Sequence, residues 1–158
     1  MKKNEFFTFR EYMKREEGPL TASLEDYLEM IYRLSKETSF TRINDIAEAL
    51  NVQPSSTTKA IQKLAELNLI NYEKYGIVLM TEEGKRIGEI LIKRHQVIED
   101  FLRLIGVNEE ILLEETEKIE HTISAETVQT FTSFVAFFNN RPNIINQFYE
   151  YLKDHRFE

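Results

Sequence analysis

The sequence contains no cysteine, which excludes a disulfide framework, a thiolate zinc site and a cysteine nucleophile. The absence is neutral on compartment but fits a reducing cytosol. No stretch approaches the ~20 consecutive apolar residues that a membrane helix needs. The start Met1-Lys2-Lys3-Asn4-Glu5-Phe6-Phe7 is broken by charge too soon for a secretory signal. The expectation is a cytoplasmic protein with no membrane partner. Internal repeats and low-complexity segments are missing too. A length of 158 residues suits one ordinary core, or two small subdomains sharing one, and leaves no room for a large third domain.

Basic charge is also in short supply. Lys and Arg number 20 against 27 Asp and Glu, a net charge of −7, and neutralisation of phosphates by basic side chains drives most non-specific nucleic-acid binding. The distribution weakens that objection. Residues 40–80 set Arg42, Lys59, Lys63 and Lys74 against Asp45, Glu48, Glu66 and Glu73 and are neutral, whereas residues 81–158 carry nine basic and 15 acidic side chains. The negative excess is therefore concentrated beyond residue 80, so the net charge does not by itself exclude nucleic-acid binding by residues 40–80.

What is present is mostly helical periodicity with one β interruption. After a leader bearing Phe6, Phe7, Phe9 and Tyr12, the Gly18-Pro19 pair marks a break. Ser23 then suits a helix N-cap with Asp26 at N3. Leu24, Tyr27, Leu28, Ile31 and Leu34 form the apolar face of that helix and leave Asp26, Glu29 and Arg33 on another side. Taken alone, Asp26 reads as a cap and Glu29 as a solvated charge. Asn44 can cap a short second helix, Asn51-Val52-Gln53 makes a tight connection, and Pro54 suits the first turn of a third helix. Thr57, Ala60, Ile61, Leu64 and Leu67 recur there at core spacing, with Ser55, Ser56, Lys59, Gln62 and Lys63 largely outside. Two short helices joined in this way make a helix-turn-helix whose outer face can enter a major groove. The β-formers on both sides of Lys74-Tyr75-Gly76 read as a hairpin, and a hairpin directly after a recognition helix is a wing. The candidate DNA contacts are Arg42, Pro54, Ser55, Ser56, Thr58, Lys59, Gln62, Lys63, Lys74 and Tyr75.

The second half carries a different signal. Thr81 can cap a long helix running to about Ile105 and containing His95, with Glu99 one turn further on as a ligand, a partner for the imidazole, or an exposed charge. Asn108 can cap the next helix, where Glu117, Glu120 and His121 fall at i, i+3 and i+4 and so project from one arc of roughly 100°. That is a preassembled set of metal ligands, although the same spacing occurs on solvated helices. Ser124 can cap a helix with the stripe Val128, Phe131, Phe134, Val135 and Phe138, which suits a core or a subunit interface. Residues 144 to 155 look like a terminal helix, and His155 has no ligand-like spacing. These readings divide the chain into an N-terminal extension (1–20), a winged-helix DNA-binding domain (21–90) and a helical metal-binding and dimerisation domain (91–158). The fold class is mainly α with a small β-hairpin wing.

Read in order, Asp45-Ile-Ala-Glu-Ala-Leu-Asn-Val-Gln-Pro-Ser-Ser-Thr-Thr-Lys59, Leu69-Ile-Asn-Tyr-Glu-Lys-Tyr75, Lys93-Arg-His95 and Ile119-Glu-His121 resemble the diphtheria-toxin-repressor family, most of all its manganese transport regulator branch. The resemblance covers about residues 21 to 138. It implies metal ligands at Asp26, Glu29, His95, Glu117, Glu120 and His121, two Mn²⁺ ions per protomer, a homodimer, an operator DNA partner and no enzymatic activity. The resemblance places Asp26 and Glu120 where iron sensors of the family carry Met and Cys. Four carboxylates and two imidazoles form a hard, oxygen-rich set suited to Mn²⁺ or Fe²⁺, so an iron-responsive repressor is the alternative and a binuclear metallohydrolase a more distant one. The leader of about 20 residues has no counterpart in the shortest members. The SH3-like domain of the larger iron sensors is not expected here, nor are its auxiliary ligands.

Overall fold

A computed structural model describes residues 18–155, together with Thr8 and Glu11; the side chain of Lys74 lies outside the described set, as do Phe6, Phe7, Phe9 and Tyr12 of the leader. The chain divides into two compact units, 1–92 and 93–158.

In the first unit, α1 (Ala22–Thr38) is capped by Thr21, whose hydroxyl accepts from the Leu24 amide at 3.3 Å. The expected cap was Ser23. The chain turns into the helix two residues earlier, which places Asp26 beyond the first turn and removes capping as its explanation. Next come β1 (Thr41–Arg42) and α2 (Ile43–Ala49). The expected Asn44 cap is absent as well. Thr41 and Arg42 pair with Val78 and Ile77, so the chain enters α2 directly from a strand, with Arg42 in the cap position and no side-chain cap. Asn51, at φ 53, turns the chain towards α3 (Pro54–Glu66), with Pro54 in the first turn. Strands β2 (Ile70–Tyr72) and β3 (Ile77–Met80) complete an antiparallel sheet of order β1-β3-β2. Leu28, Ile31, Ile46, Ile61, Leu64 and Val78 are fully buried at the centre of this unit.

Helix α4 (Glu82–Leu104) begins under the Thr81 hydroxyl, which accepts from the Gly84 amide at 3.0 Å. A Cβ added to Gly84 would lie 1.9 Å from the Leu69 carbonyl oxygen, and one added to Gly88 would lie 2.8 Å from the Tyr32 side chain. Glycine in mid-helix costs roughly 0.5–1 kcal/mol relative to alanine; here it permits backbone and ring to approach a helix directly.

The second unit contains the remainder of α4, α5 (Glu109–Glu120), α6 (Ala125–Asn139) and α7 (Pro142–Asp154). Asn108 caps α5 by accepting from the Glu110 amide at 3.0 Å, and Ser124 caps α6 by accepting from Thr127 at 3.2 Å. Gly106, at φ 91, ends the run out of α4. Ile98, Leu102 and Leu112 form a small core with Phe101, Ile105, Ile119 and Phe131 around it, and the Phe101 and Phe131 rings stack with centroids 3.8 Å apart. The aromatic stripe of α6 is only partly absorbed by this packing. No residue of α6 or α7 is fully buried, and Phe134 and Phe137 remain 38% and 45% exposed. No helix among the described residues is long and apolar enough to cross a membrane.

Candidate metal centre and DNA-reading face

In the second unit the sequence spacing becomes a cluster. Glu117 and Glu120 lie on the last turn of α5, and His121 is its C-cap at φ −89, ψ −2, still near helical geometry. Glu117, Glu120 and His121 each offer one donor atom, and these lie within 4.8 Å of one another. From α4, His95 directs Nδ1 to within 3.0 Å of Glu120 Oε2 and 3.6 Å of Glu117 Oε1. His121 Nε2 is 3.4 Å from the other Glu120 oxygen. Glu120 is 1% exposed and His95 6%, whereas about half of the Glu117 side chain is in solvent. A carboxylate as buried as Glu120 is costly without a compensating charge. Two carboxylates and two imidazoles with no sulfur fit a hard or borderline divalent cation, and the exposed Glu117 leaves such an ion a way in.

Asp26 and Glu29 belong to the first unit, one turn apart on α1. Glu29 is buried rather than solvated, and its Oε1 accepts from Arg33 at 3.0 Å (Nε) and 2.5 Å (Nη2). His155 stands apart from the cluster in its own contacts: its ring stacks on Tyr151 at 4.0 Å.

The outer face of α3 is polar. Thr57, Ala60, Ile61 and Leu64 are buried, whereas Pro54, Ser55, Ser56, Lys59, Gln62 and Lys63 are exposed. Thr58 is half-buried and donates its hydroxyl proton to the Pro54 carbonyl at 2.9 Å, leaving its oxygen as an acceptor. Lys63 is paired with Glu66 at 2.9 Å, an exposed pair worth little. Arg42 is exposed at the end of β1. At the tip of the β2–β3 hairpin Tyr75 is 89% exposed and adopts φ 65, a left-handed conformation unusual for a residue of that size.

Residues 19–78 match the iron dependent repressor N-terminal DNA binding domain, and residues 81–148 match the iron dependent repressor metal binding and dimerisation domain. The chain belongs to the iron-dependent repressor family. It is 48% identical over 118 residues to an HTH-type transcriptional regulator MntR of Geobacillus thermodenitrificans, an alignment covering 75% of this chain and 84% of that one. The corresponding regulator of Bacillus pumilus is 47% identical over 118 residues, covering 75% and 82%. Among solved structures, the manganese regulator SloR gives a TM-score of 0.66 at 29% identity and T. acidophilum IdeR 0.62 at 29%, covering 75% and 71% of this chain. The chain spans about half the length of those two structures, 55% and 53%.

As a member of the iron-dependent repressor family, the protein is a DNA-binding transcriptional regulator with a metal-binding and dimerisation domain, not an enzyme. Two neighbours of the cluster carried no decisive signal in the sequence. Arg94 Nη2 lies 3.4 Å from His121 Nδ1, and Glu99 Oε2 lies 3.6 Å from His95 Nε2. Arg94 had only its place beside His95 in Lys93-Arg94-His95 to mark it, and Glu99 only its i+4 spacing from that histidine.

Proposed function

We propose that this repressor responds to manganese, binding its operator as a homodimer when Mn²⁺ is bound and so repressing metal-uptake genes. The observation that carries the reading is the convergence of His95, Glu117, Glu120 and His121 on one another in the metal-binding domain. Asp26 and Glu29 complete the ligand set on the grounds of residue type and family resemblance, and six oxygen and nitrogen donors suit two ions. Selectivity for Mn²⁺ over metals that bind such donors more tightly rests on coordination number and geometry, because affinity order runs against manganese. The two ligands on α1 precede the helix-turn-helix in the chain, so metal binding and DNA binding are linked. Bound Mn²⁺ raises operator affinity and DNA raises metal affinity reciprocally, typically with about 1–3 kcal/mol of coupling.

In the dimer, two α3 helices read half-sites about one DNA turn, ~34 Å, apart. Ser55, Ser56, Lys59 and Gln62 face the groove, Arg42, Lys63 and Tyr75 the backbone, with Pro54 and Thr58 at the helix start; Lys74 joins the backbone contacts on its place in the sequence alone. The half-exposed stripe of α6 supports self-association, since apolar patches of that kind are rarely left uncovered. A gel shift with operator DNA, with and without Mn²⁺ and chelator, tests the central claim; binding unaffected by chelation refutes it. Sedimentation at micromolar concentration should give twice the chain mass, and a monomer with and without metal removes the paired-helix geometry. Activation by Fe²⁺ but not Mn²⁺ in anaerobic titrations would favour the iron-responsive reading.

A further inference from the structure

We propose that Glu99 and Arg103 are positioning residues for the metal centre: Glu99 holds the proton on His95 Nε2, and Arg103 anchors Glu99. The inference rests on the reading of His95 as a metal ligand. His95 Nδ1 faces Glu120 and Glu117, so His95 would offer its Nδ1 lone pair to a cation held with those carboxylates. A neutral imidazole that gives up Nδ1 carries its proton on Nε2. Within the second unit the Glu99 carboxylate lies beside Nε2, with Oε2 3.6 Å away. That separation exceeds a hydrogen bond, and in the proposed arrangement the two groups close to hydrogen-bond distance when the metal is bound.

Glu99 is not free to choose another role. Its Oε1 accepts from Arg103 Nη2, and the same guanidinium donates from Nε to Glu109 Oε1 at 2.8 Å and from Nη1 to Asp100 Oδ1 at 3.4 Å. Hydrogen bonds to Glu109 and then Glu99 raise the Arg103 pKa further above its already high value, so its charge is permanent. Neutralised by that cation, Glu99 is a poor metal ligand but a good acceptor for an imidazole N–H, the arrangement in which a carboxylate fixes ring orientation and raises ligand basicity. Arg103 has a second grip. Glu109 opens α5, whose far end carries Glu117, Glu120 and His121, so one guanidinium restrains both the His95 partner and the start of the ligand-bearing helix.

The test uses the full-length, metal-free protein and the variants Glu99→Gln, Arg103→Ala, Arg103→Lys and His95→Ala. Mn²⁺ affinity and stoichiometry are read from the electron paramagnetic resonance of free Mn²⁺, and the liganding nitrogen from ¹⁵N ring shifts of the Cd²⁺-loaded protein. Glu99→Gln and Arg103→Ala should each weaken affinity about 10–100-fold with the number of ions per chain unchanged. Arg103→Lys, which keeps the charge but loses the fork, should recover part of the loss. Cadmium should fall on His95 Nδ1, and the Nε2 proton should exchange with solvent more slowly in the wild type than in Glu99→Gln. Cadmium on Nε2 overturns the proposal. So does a missing ion in Glu99→Gln, which would make Glu99 a ligand, and so does unchanged affinity in both Glu99→Gln and Arg103→Lys while His95→Ala loses binding. Full affinity in His95→Ala overturns the metal-centre reading, and this inference with it. Should Arg103→Ala fail to fold, the near-isosteric Glu99→Gln and the Lys variant still decide.

Discussion

Replacing Glu120 by glutamine separates a metal ligand from a structural acid, because the two roles shift stability in different states. Glu120 is 1% exposed, with its oxygens 3.0 Å from His95 Nδ1 and 3.4 Å from His121 Nε2. The amide has nearly the same shape and keeps one oxygen acceptor but removes a buried charge beside Glu117. Without metal, the variant should be at least as stable as the wild type, since an uncompensated buried charge is costly. With metal the order reverses. At a Mn²⁺ concentration of ~100 times the wild-type Kd, binding stabilises the folded state by about 2.7 kcal/mol. If the variant binds ~100-fold more weakly, the same concentration only half-saturates it, and the stabilisation falls to RT ln 2, about 0.4 kcal/mol. At ~2–4 °C per kcal/mol for a chain of this size, the wild-type Tm should rise by about 5–11 °C and that of the variant by about 1–2 °C. Differential scanning fluorimetry over a Mn²⁺ series reads both arms. A full metal-induced rise in Glu120→Gln would show that Glu120 is not a ligand. A metal-free Tm far below the wild type would assign it to the fold.

Lys59→Ala should cost operator affinity on the order of 1–3 kcal/mol if the side chain reads a base, with Mn²⁺ binding unchanged; unaltered affinity in fluorescence anisotropy would turn this face of α3 away from the groove. Gly84→Ala places a methyl group 1.9 Å from the Leu69 carbonyl, so urea unfolding should show about 1–3 kcal/mol of destabilisation despite the better helix propensity of alanine. Equal or greater stability would mean that α4 shifts off β2 freely. Asp26→Met exchanges a hard anionic donor for a soft neutral one and should weaken activation by Mn²⁺ relative to Fe²⁺; an unchanged Mn²⁺ to Fe²⁺ ratio in anaerobic DNA-binding titrations removes Asp26 from the selectivity set.

The parts of this molecule that the sequence declares are those set by local periodicity. The 3.6-residue repeat of Tyr27, Leu28 and Ile31, and of Thr57, Ala60, Ile61 and Leu64, locates two helices and their buried faces. Thr81, Asn108 and Ser124 all cap where a hydroxyl or amide side chain precedes an apolar run. Local rules fail where a distant segment decides. Thr41 and Arg42 become a strand only because β3 lies beside them, and that pairing brings the chain into α2 without the Asn44 cap. Ser23 and Thr21 are both competent caps by composition; the point at which the backbone enters the helix selects Thr21.

The same distinction governs the site. Glu117, Glu120 and His121 were legible as a set because one helix carries all three at fixed offsets. His95 joins them from a helix whose Glu82–Leu104 span says nothing about where its face will point. That Glu29 is buried as well as paired with Arg33 was likewise invisible in its own spacing, because an i,i+4 pair reads the same on a solvated helix as on a covered one. What carried the metal reading from sequence was therefore not any single motif but several ordered motifs at matching separations, from the winged-helix text to Ile119-Glu-His121, which together resemble one family. The acid excess beyond residue 80 follows from the same arrangement. A domain that gathers Glu117 and Glu120 about two imidazoles, and shares Arg103 among Glu99, Asp100 and Glu109, is short of positive charge by construction, and divalent cations at the cluster would offset part of that excess.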